Sequence, residues 1–105
     1  MLELKIMTKD EFIQAIAKQE KCPSLPPALQ ALWYDKKGDW HMAHEVSQNA
    51  SDGDSAWVHG YLHRKEGDIK NARYWYKRGK QPEFTGGLDL EWEHIVSELL
   101  MKVSA

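Results

Sequence analysis

The residues best suited to chemistry in this chain are histidines and acids set at short helical intervals. His59, His63 and Glu66 recur at steps of four and three, so on a helix they gather on one face. Two imidazoles one turn apart, followed by a carboxylate one turn further, form a donor set for a first-row metal ion such as zinc. The preceding segment offers further ligands in His41, His44 and Glu45, of which His44 completes the set His44, His59, His63 and Glu66. In the hairpin register, however, His59, Gly60 and His63 occupy positions that pack against the unit's own second helix, which favours His59 and His63 as neutral, hydrogen-bonded members of the core.

Charged and aromatic side chains downstream suggest a different chemistry. Arg64 and Arg73 present paired N–H donors suited to clamping a carboxylate or phosphate. They alternate with Glu66 and Asp68, so ion pairing around a turn explains them as well. Tyr74 falls away from the Ile69, Ala72 and Tyr76 face and beside Lys70, Lys77 and Arg78, where it would serve as an exposed contact anchor. Phosphate cradling is excluded because Gly86-Gly87 lacks the lysine, hydroxyl and preceding strand it requires. Cys22 stands beside proline without a partnering histidine, and Ser24, Ser47, Ser51, Ser55 and Ser97 lack a nucleophile context. The reading assigns no catalytic residue and no cofactor.

Helices must position these groups. Thr8 and Glu11 have the spacing of a capping box, with Met7 and Phe12 placed to staple the helix start. Phe12, Ile13 and Ile16 then form a stripe that fades by Lys21. Pro23, Pro26 and Pro27 impose an extended connector, and a second helix is predicted from Pro27 or Ala28 to Lys36. Gly38-Asp39-Trp40-His41-Met42-Ala43 and Gly67-Asp68-Ile69-Lys70-Asn71-Ala72 repeat one pattern at an offset of 29 residues, from Gly38 to Gly67. In each, glycine supplies a left-handed helix end, aspartate caps the next helix, and alanine permits close approach of two backbones. A period of this kind indicates stacked α-hairpins. Leu88, Trp92, Ile95, Val96, Leu99 and Val103 line one side of a final amphipathic helix that closes the stack. The tryptophans follow these apolar stripes and are predicted to pack inside, as is Tyr76.

Bulk properties narrow the partners. With 105 residues and 42% apolar content the chain forms one domain, residues 1–105, with a core of its own. A formal net charge of -2 provides no field for nucleic acid or anionic lipid. One cysteine allows no internal disulfide, which favours a reducing, cytoplasmic setting. No stretch has the apolar length of a membrane span, and the charged N-terminus lacks the pattern of a signal peptide.

The second hairpin resembles a tetratricopeptide repeat with features of the Sel1-like variant, through Gly60, Gly67, Ile69, Ala72, Tyr76, Gly79 and Pro82. Ala31, Tyr34, Gly38, Trp40 and Ala43 carry the same signature more faintly. Residues 28–82 are also similar to a group of small bacterial proteins of this type. The offset is shorter than the roughly 34 residues of the standard repeat, and there are two units rather than three. The resemblance implies an all-α scaffold for a protein or peptide partner. Its hairpins would span about 28–50 and 56–79, between an N-terminal helix and a capping helix over about 88–103, six helices in all. The expected partner site is a groove lined by the hairpins' first helices, with His59, His63, Arg64 and Glu66, and Tyr74 on a secondary surface. Homodimerisation through Leu90 and Met101 is a further expectation, and the metal set above is the alternative function.

Overall fold

The structure, a computed structural model, describes residues 7–19 and 21–104. Its described residues form an all-α fold of six helices: α1 (Lys9–Lys18), α2 (Pro27–Lys36), α3 (Trp40–Gln48), α4 (Gly53–Lys65), α5 (Ile69–Arg78) and α6 (Leu88–Ser104). None is long and apolar enough to cross a membrane.

Local chemistry sets each boundary. Thr8 accepts from the Glu11 amide while the Glu11 carboxylate accepts from the Thr8 amide, the reciprocal box expected from their spacing. Pro27 opens α2, where its missing N–H costs nothing. The two hairpin turns are built alike. Gly38 and Gly67 both adopt φ 93°. The amides of Asp39 and Asp68 then reach back to the carbonyls of Tyr34 and His63, each at 2.9 Å. Both aspartates cap the following helix by accepting from Met42 and Asn71.

Packing follows the register. Ala43 and Ala72 are both buried where the second helix of each hairpin lies on the first. At Gly60 an added Cβ would stand 2.9 Å from Tyr76 Cδ1 and 3.1 Å from the Ala72 carbonyl oxygen. The α4–α5 crossing therefore depends on a bare backbone at that point. At the far end, Phe12 of α1 meets Trp33 edge-on at 5.9 Å and Trp92 at 6.1 Å, joining α1, α2 and α6 in one aromatic core. Aromatic pairs of this kind contribute roughly 0.5–1.5 kcal/mol beyond their burial.

Helix α6 decides what the hairpins can expose. It packs against both α2 and α4, and Trp92 donates from Nε1 to the Leu32 carbonyl at 3.1 Å. Glu91, 1% exposed, accepts from Arg64 at 2.7 Å and from the Tyr76 hydroxyl at 2.5 Å. A matching buried carboxylate, Asp35, accepts from Tyr61 at 2.6 Å and Lys65 at 2.9 Å. These pins tie α4 to α2 and α6. The residues from Ser55 to His63 are all buried, so α4 has no open face along that length. Along the first helices, where a groove is expected, α6 packs against both and leaves a small hollow of about 80 Å³ lined by Leu29, Asp54, Leu99 and Val103.

Candidate functional site: a histidine cluster between two tryptophans

The second helices leave a different opening. Helices α3 and α5 both pack on α4 and make at most marginal contact with each other. Between them runs a cleft over α4 that the side chains meeting there largely fill, His59 being 2% exposed and His63 7%. His59 and His63, one turn apart on α4, rise into it, as their spacing requires. His44 enters from α3, one residue beyond the buried Ala43 and so at the edge of that helix's packed stripe.

The rings form a continuous stack. Trp40 lies parallel to His44 with centroids 5.0 Å apart, and Trp75 lies parallel to His59 at 4.0 Å. His59 and His63 stack on one another at 4.8 Å, and His44 meets both edge-on, at 4.7 and 5.1 Å. Trp40 is fixed by donating from Nε1 to the Leu62 carbonyl at 3.0 Å. Trp40 and Trp75 are therefore only half-buried wall residues, where the apolar stripes had placed them inside. Trp33, Trp57, Trp92 and Tyr76 are buried as expected.

Ring nitrogens of His44, His59 and His63 all lie within 4.8 Å of one another. His44 Nε2 and His59 Nε2 face each other at 3.1 Å. His63 Nδ1 is held by the Glu66 carboxylate at 2.7 Å. His59 is 2% exposed and its Nδ1 has no hydrogen-bond partner. Burial, then the neighbouring His44 and His63, pushes the His59 pKa down to about 4. Burial and His63 also lower that of His44. Both rings are thus neutral at pH 7, and one donates to the other across the Nε2–Nε2 contact.

Beside Trp75 a hollow of about 280 Å³ opens at one end of the cleft, lined by Gln48, Ala50, Ser51, Asp52, Gly53, Ala56 and Arg78. Half-buried His44 is the cluster's most exposed imidazole.

The remaining sequence candidates are placed elsewhere. Arg64 is bound to Glu91 and the Gly86 carbonyl, and Arg73 to Glu83 at 3.0 Å, so the two do not form an anion clamp. Glu66 lies behind His63 rather than among the three imidazoles. His41 is exposed and outside the cluster. Tyr74, 52% exposed, borders a shallow hollow with Asp68, Lys70 and Asn71 and accepts from Arg78 at 3.2 Å. Leu90 and Met101 are both exposed on α6. Burial raises the Cys22 thiol to about 11, which keeps it protonated and unreactive at neutral pH.

Sequence reasoning did not single out Trp40 and Trp75 as site walls, nor Asp35 and Glu91 as buried pins. The tryptophans carried a usable signal, since each sits on the second helix of its hairpin on the side that turns toward α4. No family model, no curated protein and no solved structure matches this chain.

Proposed function

We propose that this is a non-enzymatic binding protein of tetratricopeptide-like α-hairpin build, whose ligand site is the histidine–tryptophan cleft between α3 and α5. The observation that carries the reading is the unpartnered Nδ1 of His59 inside a cluster of three imidazoles. A histidine kept only for packing has its buried nitrogens satisfied, because an unmet one costs roughly 1–3 kcal/mol. Three polar rings brought together under two tryptophans, with ring nitrogens within 4.8 Å of one another, support a site that a ligand completes. Helix α6 packs against both first helices, along which a peptide groove would run.

A thermal-shift screen of small polar and ionic ligands tests this, run on wild type and His44→Gln. His44 is half-buried, so its replacement leaves the core intact. Ligands that raise the wild-type Tm and lose the effect in the variant are expected. A screen with no His44-dependent shift would contradict the reading.

A second reading, contact with a protein partner, is supported by Tyr74. It is half exposed, backed edge-on by Trp75 at 5.1 Å and bordered by Lys70 and Asn71. A rigid aromatic on a polar rim is the residue type that anchors interfaces. Solvent paramagnetic relaxation of the Tyr74 ring, in cell extract against buffer, tests it. Protection in extract is expected, and equal accessibility would contradict it.

A further inference from the structure

We propose that His44, His59 and His63 together hold one divalent first-row transition-metal ion of the zinc class, with Glu66 orienting His63 from behind. The proposal rests on the cleft being the ligand site and names what that site takes.

Distance comes first. A tetrahedral ion with metal–nitrogen bonds of about 2.0–2.1 Å sets its ligand nitrogens roughly 3.3 Å apart. His44 Nε2 and His59 Nε2 already stand at 3.1 Å, and the ring nitrogens of the three residues lie within 4.8 Å of one another. Binding would draw the three nitrogens together from that outer limit.

Proton placement is compatible with an ion at this point. Two neutral imidazoles meeting Nε2 to Nε2 must put a hydrogen on one of them, and His59 Nδ1 stays unmet with either choice. A cation between the two Nε2 atoms lets both lone pairs point inward. His59 then carries its hydrogen on Nδ1, which the ion itself does not partner.

Glu66 supplies the outer layer. A ligating histidine typically gives its second ring N–H to a carboxylate, which fixes the tautomer and strengthens the donor. His63 Nδ1 bonded to Glu66 at 2.7 Å is that arrangement, leaving Nε2 free to ligate. Trp40 and Trp75, stacked on His44 and His59, add an apolar shell that limits water.

Donor type selects the ion. Three imidazoles without a carboxylate in the inner set suit zinc, copper, nickel or iron and not calcium or magnesium. Three protein ligands leave a fourth position open for water or a small anion. The other cluster of potential ligands, His63 with Glu66 and Asp68, is mostly exposed carboxylate. There Glu66 is engaged by His63 and Asp68 caps α5, so that grouping carries no site.

The test is a cobalt(II) titration of tag-free, chelator-stripped protein, with zinc added as competitor. One equivalent should give the visible d–d bands of a tetrahedral site, and zinc should abolish them. His44→Gln should weaken binding at least about 100-fold with unchanged far-UV circular dichroism, and Glu66→Gln about 10–100-fold. His41→Gln should bind like wild type. Absence of bands, or wild-type affinity in His44→Gln, would overturn the proposal. If cobalt fails while the small-ligand screen yields His44-dependent shifts, the metal is wrong and the cleft stands. If both fail, both readings fall.

Discussion

His44 and His59 face one another Nε2 to Nε2 at 3.1 Å across the boundary between α3 and α4. Each is backed by a parallel tryptophan, Trp40 and Trp75 respectively. The contact makes the two hairpins interdependent, since one imidazole comes from each. It also places two imidazoles of lowered basicity at the junction of the repeat units.

Acid sensitivity follows from His59. Its folded pKa, about 4, is below the unfolded value of 6.5, so the unfolded chain binds more protons between those limits. Stability is fully present above pH 6.5, falls as pH drops toward 4, and loses nothing more to this group below that. His44, also lowered, adds in the same direction. His44 and His63 are the titratable groups acting on His59. The loss attributable to His59 is on the order of 3 kcal/mol. Urea midpoints at pH 7.0 and 4.5 check it, with His59→Phe expected to flatten the dependence.

Glu91 is a buried pin whose partners come from two other helices. Glu91→Gln removes the charge facing Arg64 and weakens the bond from Tyr76. A cost of about 2–4 kcal/mol is expected, exceeding that of Tyr76→Phe, where one hydrogen bond is lost at about 1.5–3 kcal/mol. Chemical denaturation of the two variants and the double variant measures both costs and their coupling.

Gly60 marks the closest approach of α4 and α5. Gly60→Ala should destabilise by about 1–3 kcal/mol through overpacking against Tyr76 and the Ala72 carbonyl. Ala31, the residue 29 positions earlier in the first hairpin, is itself fully buried. The constraint therefore belongs to the second unit, where Tyr76 replaces the smaller Ser47. Calorimetry of the single variant checks it.

Lys80 offers the opposite sign. It ends α5 at φ 59°, with the Gln81 amide bonded to the Tyr76 carbonyl at 2.9 Å, the same helix end that Gly38 and Gly67 make with glycine. A left-handed non-glycine residue costs roughly 1–2 kcal/mol, offset by about 0.5–1 kcal/mol of extra unfolded-state entropy for glycine. Lys80→Gly should therefore raise stability by about 0.5–1 kcal/mol, measured as a shift in urea midpoint.

What the sequence made legible was local. The Thr8–Glu11 box, proline at the start of α2, and the two glycine–aspartate turns each use residues within a few positions of one another, so spacing alone specifies them. His59 and His63 were readable as a pair for the same reason, being one turn apart. What escaped depends on distant segments. Arg64 reads as an anion clamp or as a partner of acids in its own turn until α6 brings Glu91 beside it. The first-helix groove reads as open until α6 packs against both α2 and α4. Trp40 and Trp75 read as core because a helical stripe does not distinguish a face pressed on a neighbour from one lining a cleft. Lys80 gave no glycine to announce its turn.

The most direct measurement is the ring-nitrogen NMR spectrum of all five histidines before and after one equivalent of zinc. The account predicts that His44, His59 and His63 shift together while the outlying His41 and His94 stay unmoved. Unchanged cluster resonances, or shifts confined to His41 and His94, would contradict it.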